Sequence, residues 1–198
     1  MDYPAAKAFI LSNLEEKLSD KLYYHGLHHT FDVLQVTVNL CAAEKIPPHE
    51  TTLLKTAALY HDCGFIRNNK DHERHGCNIV RSNLRDFHYT DHEIEQICGM
   101  IMATKVPQAP TNLLEEIICD ADLDYLGRHD FKSIGNTLFE ELKAYKVLKA
   151  EEEWNRMQVK FLEQHKFFTS TNKRTRAPQK AKNLQALKEI VGGYKKKY

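Results

Sequence analysis

Apolar residues recur along the chain at the three- and four-residue spacing of amphipathic helices, and no segment alternates as a half-buried strand does. Two cues mark helix starts: Pro47-Pro48 suits a first turn, and Thr90 with Glu93 fits a capping box. The pattern predicts an all-α chain with helices near residues 5–18, 28–46, 51–62, 71–84, 90–104, 112–119, 131–145, 151–165 and 181–191. Residues 63–70 and the Thr-, Asn- and Lys-rich stretch 169–178 are predicted to be loops.

Positive charge concentrates toward the C-terminus. The net charge is only +1, yet residues 164–198 contain ten Lys or Arg and one acid, which leaves 18 basic against 26 acidic residues elsewhere. We expect one helical domain over residues 1–150, with residues 151–198 as a basic helical extension or lid of that domain. A solvated tail and a phosphate-attracting flap both fit this charge pattern.

Composition narrows the class of protein. With 42% hydrophobic and 28% charged residues, the chain is typical of a soluble globular protein. It lacks the apolar run of about 20 residues that a membrane span requires, and residues 1–4 lack the basic and apolar segments of a signal peptide. Five cysteines without a Cys-x-x-Cys pair are typical of reduced, buried thiols and argue against a cysteine zinc site. We expect a cytoplasmic protein that does not enter a membrane.

One histidine of the second predicted helix lies on its apolar face. His29 shares a stripe with Val33 and Leu40, whereas its neighbour His28 shares a polar stripe with Asp32. The register therefore predicts a buried His29 and an exposed His28. A lone inward histidine is more often a hydrogen-bonded core residue than a metal ligand, so a metal site requires partners.

Candidate partners follow the third predicted helix. His61 shares its inward face with Leu54 and Ala58, and Asp62 comes directly after it. A buried carboxylate beside a buried imidazole is costly unless a cation neutralises it. No Lys or Arg lies within the adjacent turn of this helix, since Lys55 is two turns back. A divalent cation would bind both groups.

Three acids alternate near the middle of the chain. Asp120, Asp122 and Asp124 follow the apolar run that ends at Cys119. Helix capping explains one acid more easily than all three. One of them is therefore a candidate for a further metal ligand.

The order of these residues resembles the H…HD…D signature of the HD superfamily of phosphohydrolases. The resemblance spans residues 24–128 and includes the segments Tyr24-His25-x3-His29-Thr30, Ala58-Leu59-Tyr60-His61-Asp62-Cys63-Gly64-Phe65 and Asp120-Ala121-Asp122. It implies an HD-domain-like helical bundle with a C-terminal helical extension. It also implies a divalent metal ion held by the side chains of His29, His61, Asp62 and Asp122.

In this interpretation Asp122 is favoured over Asp120 as the last ligand, and Asp120 would orient a ligand. The donor set suits Mn, Fe, Co, Ni, Zn or Mg. Members of the superfamily that bind two metal ions have additional histidine ligands, which usually include two histidines adjacent in sequence. The interval between Asp62 and Asp120 has no adjacent histidines, so one ion is expected.

The resemblance implies that a metal-activated water attacks a phosphoester. Asp62 is predicted to accept the proton of that water, and His72 to protonate the leaving group. Glu73 is a candidate for the same role or for a hydrogen bond to a metal ligand, and an exposed helix start explains Glu73 equally well. Because arginine chelates phosphate oxygens and lysine attracts them, we predict that substrate phosphate is bound by Arg67, Arg128, Arg176 and Lys180. Tyr125 and Phe168 are candidates to stack on a base, although aromatic residues at helical spacing are more often core.

The predicted reaction is hydrolysis of a phosphate mono- or diester of a nucleotide or another small phosphorylated metabolite. The alternative is a module that senses a nucleotide, retains the metal and does not turn its ligand over. The near-neutral charge and the lack of a nucleic-acid-binding motif argue against a nucleic acid as partner.

Overall fold

The computed structural model describes residues 1–194, and every regular element within them is helical, as predicted. The end of the basic extension, residues 195–198, lies outside the described residues. The chain divides into two compact units, Met1–Asp122 and a second that begins at Leu123. None of the helices described reaches the length and hydropathy needed to cross a membrane.

The first unit contains six α-helices. They are α1 (Tyr3–Lys17), α2 (Leu27–Ala43), α3 (Pro48–Tyr60), α4 (His72–Asn83), α5 (Asp91–Ala103) and α6 (Leu113–Asp122). The capping box predicted from Thr90 and Glu93 is confirmed at the start of α5. Helix α6 was expected to end at Cys119 but runs on through Asp122, so the last two turns of this helix carry both Asp120 and Asp122.

Helix α3 is the centre of this unit. It packs against α1, α2, α5 and α6, and its residues Leu53, Leu54, Ala57 and Ala58 have no exposed surface. Burying a leucine side chain contributes about 1.5–3 kcal/mol. Because α3 is enclosed, the residues that follow its last turn, His61 and Asp62, are delivered into the interior.

Up to Tyr194, the second unit contains four α-helices. They are α7 (Phe131–Ala144), α8 (Glu151–Gln164), α9 (Ser170–Thr175) and α10 (Ala177–Tyr194). A short 3-10 turn, Asp124–Gly127, packs against α10, where Asn183 donates hydrogen bonds to the carbonyl oxygens of Leu126 and Arg128 at 2.9 and 3.0 Å. As far as residue 194, the predicted extension at residues 151–198 thus corresponds to α8, α9 and α10, which share their unit with α7. The division at residue 150 stays a prediction.

The predicted loop at residues 169–178 is wrong, because most of this stretch is helical. The Thr169 side chain caps α9 by accepting a hydrogen bond from the backbone N–H of Asn172 at 3.1 Å. Pro178 is the second residue of α10, where a missing N–H costs nothing. Polar composition suggested a loop, but here the polar side chains cap and anchor helices.

Candidate metal centre

Three elements of the first unit bring imidazole and carboxylate groups together. His29 comes from the first turn of α2, His61 follows the end of α3, and Asp122 is the last residue of α6. The Nε2 atom of His29 lies 3.3 Å from Nε2 of His61 and 3.2 Å from Oδ1 of Asp122. One ligand atom from each of these residues lies within 4.8 Å of the others, a group that could hold a metal ion.

Asp62 joins this group through one carboxylate oxygen. Its Oδ2 atom lies 3.1 Å from Nε2 of His61 and 3.5 Å from Nε2 of His29. Oδ2 is buried and, when both imidazoles are neutral, accepts no hydrogen bond from residues 1–194. A buried oxygen without a bond costs about 1–3 kcal/mol. A divalent cation between the carboxylates and imidazoles would satisfy this oxygen, so the donor set fits a metal.

A backbone contact fixes the ring of His61. Its Nδ1 atom lies 2.9 Å from the carbonyl oxygen of Ala58. Because a carbonyl only accepts, Nδ1 carries the proton, and in the neutral ring Nε2 presents its lone pair to Asp62 and His29. The helix that buries His61 therefore also selects the tautomer that can bind a cation.

The charges of His61 and Asp62 depend on each other. Burial opposes protonation of His61, but the Asp62 carboxylate outweighs it and raises the pKa of His61 to about 9. Burial alone would raise the pKa of Asp62, yet the His61 imidazole beside it holds that pKa well below its usual range. Without a cation, the pair retains a proton at neutral pH.

The burial of the two adjacent histidines agrees with the predicted register. His29 is 5% exposed and His28 is exposed.

The three alternating acids have separate environments. Asp122 contacts His29, Asp120 is fully buried, and Asp124 belongs to the second unit. That Asp122 is a metal ligand and Asp120 an orienting residue stays a prediction.

His72, the predicted acid, lies beside Asp62 at the start of α4. Its Nε2 atom is 3.4 Å from Oδ1 of Asp62 and 3.5 Å from Oε1 of the buried Glu73. The ring stacks on Phe65, with ring centroids 4.1 Å apart, and Phe65 also stacks on His25 at 4.4 Å. Sequence reasoning assigned no role to Phe65 or His25, although both lie in the segments that carry the signature.

Gly64 allows α4 to approach this close. A Cβ atom at Gly64 would overlap the carbonyl oxygen of His72 and lie 2.8 Å from the amide nitrogen of Gly76. Only the absence of a side chain at Gly64 permits the backbone of α4 to pack against the turn that follows Asp62. The contact sets the position of His72 relative to Asp62.

Arg67, predicted to bind phosphate, lines a groove of about 510 Å³ in the first unit. The groove also includes Phe9 and Lys17 of α1 and Ser82 and Asn83 near the end of α4. Ser82 and Asn83 lie ten and eleven residues after His72, which corresponds to roughly 15 Å along the helix axis. None of the residues that line the groove is a candidate metal ligand, and phosphate binding by Arg67 stays a prediction.

The other predicted phosphate-binding residues lie in the second unit. Arg176 donates from Nε to Oδ1 of Asp124 at 2.7 Å, and Nη1 of Arg128 lies 3.7 Å from Oδ2 of Asp124. Lys180 donates through Nζ to the carbonyl oxygen of His165. Two of the three cations thus surround one buried carboxylate, and binding of substrate by any of them stays a prediction.

Comparison with known proteins agrees with this geometry. The family model of the HD domain matches residues 26–124, which is half of the chain. No curated protein matches. A protein of an uncultured Thermotogales bacterium, whose crystal structure is described as that of a predicted HD superfamily hydrolase, has a similar fold. The two are 18% identical, with a TM-score of 0.62 over 94% of this chain and 92% of that one. The chain belongs to the HD-domain family.

Proposed function

We propose that this protein is a metal-dependent phosphohydrolase that cleaves a phosphate mono- or diester of a nucleotide or another small phosphorylated metabolite. The observation that supports the proposal most directly is that the two oxygens of the Asp62 carboxylate face different side chains. Its Oδ2 atom faces the imidazoles of His29 and His61, while its Oδ1 atom faces His72. One oxygen is thus placed to bind a cation and the other to exchange a proton.

Four side chains would hold one divalent ion, Mn, Fe, Co, Ni, Zn or Mg: His29, His61, Asp62 and Asp122. When bound, such an ion makes water more acidic and offsets negative charge on the phosphoryl group. The chain's own residues hold and orient the reactants. Neutral imidazoles and ionised carboxylates are required for this role.

The proton transfers belong to Asp62 and His72. Asp62 accepts the proton of the attacking water, and His72 donates a proton to the leaving oxygen of the substrate. After each cycle, the 3.4 Å contact between Oδ1 of Asp62 and Nε2 of His72 allows the proton that Asp62 took from water to pass to His72, which has given its own to the leaving oxygen. Stacking on Phe65 holds the His72 ring in the orientation that this exchange needs.

The test combines metal analysis with a screen for phosphate release from nucleotides, sugar phosphates and cyclic dinucleotides. We expect about one metal equivalent per chain, and turnover of at least one substrate class that a chelator abolishes. His61→Ala should lose both metal and turnover, whereas His92→Ala, at an exposed position of α5, should lose neither.

A wild-type protein that holds no metal after supplementation with Mn and Ni would overturn the proposal. Tight binding of both metal and a nucleotide without release of phosphate from any substrate would instead favour the sensing module.

A further inference from the structure

Gln108, in the connection between α5 and α6, reaches the end of α6 with its side-chain amide. Its Nε2 donates to the carbonyl oxygen of Cys119 at 3.1 Å and to Oδ2 of Asp122 at 3.5 Å. Both partners only accept hydrogen bonds, so the nitrogen of the amide, and not its oxygen, must face them. The orientation of the Gln108 side chain is therefore determined by its surroundings.

The two oxygens of the Asp122 carboxylate consequently contact different partners. Oδ1 lies 3.2 Å from Nε2 of His29 and 3.6 Å from Nε2 of His61. Within residues 1–194, the hydrogen bond to Oδ2 comes from Gln108. A carboxylate free to rotate could turn both oxygens toward a cation, but in Asp122 Oδ1 faces the two imidazoles and Oδ2 faces the Gln108 amide.

Burying the Gln108 amide is energetically unfavourable, and this indicates that the amide has a specific role. Its Oε1 atom is buried and accepts no hydrogen bond from the described part of the chain. A buried acceptor without a bond is destabilising by about 1–3 kcal/mol. An apolar side chain of similar size would avoid this cost, whereas the two donated hydrogen bonds are available only from the amide.

We propose that Gln108 is a positioning residue that restricts Asp122 to binding a metal through Oδ1 alone. This role rests on the proposed function, since it requires the metal. Residues that hydrogen-bond to a metal ligand typically change metal affinity by about 10- to 100-fold when they are replaced. Restricting Asp122 to one oxygen also leaves a coordination position for water or a phosphate oxygen.

The test replaces Gln108 with residues that fill the same space without donating. In Gln108→Leu and Gln108→Met, we expect affinity for cobalt(II), measured by titration of the metal-free protein, to fall about 10- to 100-fold. The visible absorption of bound cobalt(II) should also weaken, because Asp122 would bind through both oxygens and cobalt absorbs less as its coordination number rises. Gln35→Leu is the matched control, since Gln35 is exposed and donates to Asn39 of the same helix, α2.

Thermal melting of each metal-free variant separates loss of affinity from loss of fold, and Gln108→Met provides a second, unbranched side chain if the leucine variant does not fold. Wild-type cobalt affinity and an unchanged cobalt spectrum in a folded Gln108 variant would overturn the positioning role while leaving the proposed function intact. A wild-type chain that binds no cobalt would overturn both.

Discussion

Nε2 of His72 lies 3.4 Å from Oδ1 of Asp62, the oxygen opposite the one that contacts His61. A single carboxylate therefore connects the imidazoles of the candidate metal centre to an imidazole outside it. The side chain of His72 is 21% exposed, whereas that of His61 is only 1% exposed. Of these two histidines, His72 is the one that a substrate can reach.

Replacing His72 should separate catalysis from metal binding. We expect His72→Gln to lower kcat by about 100-fold or more, the usual contribution of a general acid, while the metal content stays at the wild-type level. Steady-state kinetics and metal analysis on the same preparation measure the two effects. His92→Gln serves as the control, and a variant that loses metal together with activity would show that His72 is a ligand.

Two adjacent histidines provide a second test. His29→Ala should abolish metal binding, because Nε2 of His29 contacts both His61 and Asp122. His28→Ala should leave metal binding nearly unchanged, because His28 is exposed. Equilibrium dialysis against a fixed metal concentration measures both, and equal loss in the two variants would contradict the assignment.

Metal affinity should depend on pH through His61. Its imidazole must be neutral to bind a cation, and in the metal-free protein its pKa is raised to about 9. A proton thus competes with the metal below that pH, so affinity should rise by up to about tenfold per pH unit and level off above about pH 9. Calorimetry in two buffers of different ionisation enthalpy should detect the released proton near neutral pH. An affinity that does not change between about pH 6 and pH 9 would contradict the prediction.

Arg176 should stabilise the second unit. The Asp124 side chain is 1% exposed and receives hydrogen bonds from Arg176 at 2.7 Å and from Asn172 at 3.2 Å. Arg176→Ala leaves a buried carboxylate without its closest charge partner. Because the Arg176 side chain is 36% exposed, we expect a loss of about 2 kcal/mol in the free energy of unfolding, below the range for fully buried pairs.

Denaturant unfolding followed by circular dichroism measures this loss. Arg174→Ala is the matched control, because Arg174 is exposed, and it should change stability by less than about 0.5 kcal/mol. Similar stability of the two variants would show that Arg176 contributes no net stabilisation through Asp124.

Gly64→Ala should damage both stability and turnover. The new Cβ would meet backbone atoms of His72 and Gly76, which cannot rotate away. We expect a loss of about 3 kcal/mol in the free energy of unfolding, with a lower kcat in the folded fraction because His72 moves. Gly192→Ala is the control. A Cβ there meets nothing within 4 Å, so this variant should gain about 0.5–1 kcal/mol. A Gly64→Ala protein with the melting temperature of the wild type would show that the two backbone segments can move apart without loss of stability.

Local pattern was enough to predict most of the helices. Apolar periodicity, the prolines before α3 and the Thr90 capping box each act over a few residues. The same periodicity predicted a buried His29 beside an exposed His28. These features depend on which side of one helix is apolar, and the sequence displays that directly.

Features that depend on distant partners were not predictable in this way. The stretch at 169–178 is helical and anchored in part because Asn172 and Arg176 bond to Asp124, about fifty positions earlier. The contact of Gln108 with Asp122 likewise exists only after α6 has been placed. The local sequence around a polar residue is the same whether its side chain bonds to a buried partner or to water. Composition alone therefore cannot distinguish an anchored polar helix from a solvated loop.

The enclosed position of α3 has a consequence for how the protein opens. Helix ends and loops exchange their amide hydrogens through local fraying, but a helix packed on four sides exchanges only when its whole unit unfolds. Leu59 and Tyr60 end α3 just before His61, but both are buried. Their amides should therefore be among the slowest to exchange in the first unit. Local fluctuations would then leave His61 and Asp62 in place, and the two residues would separate from their partners only as often as the unit itself unfolds.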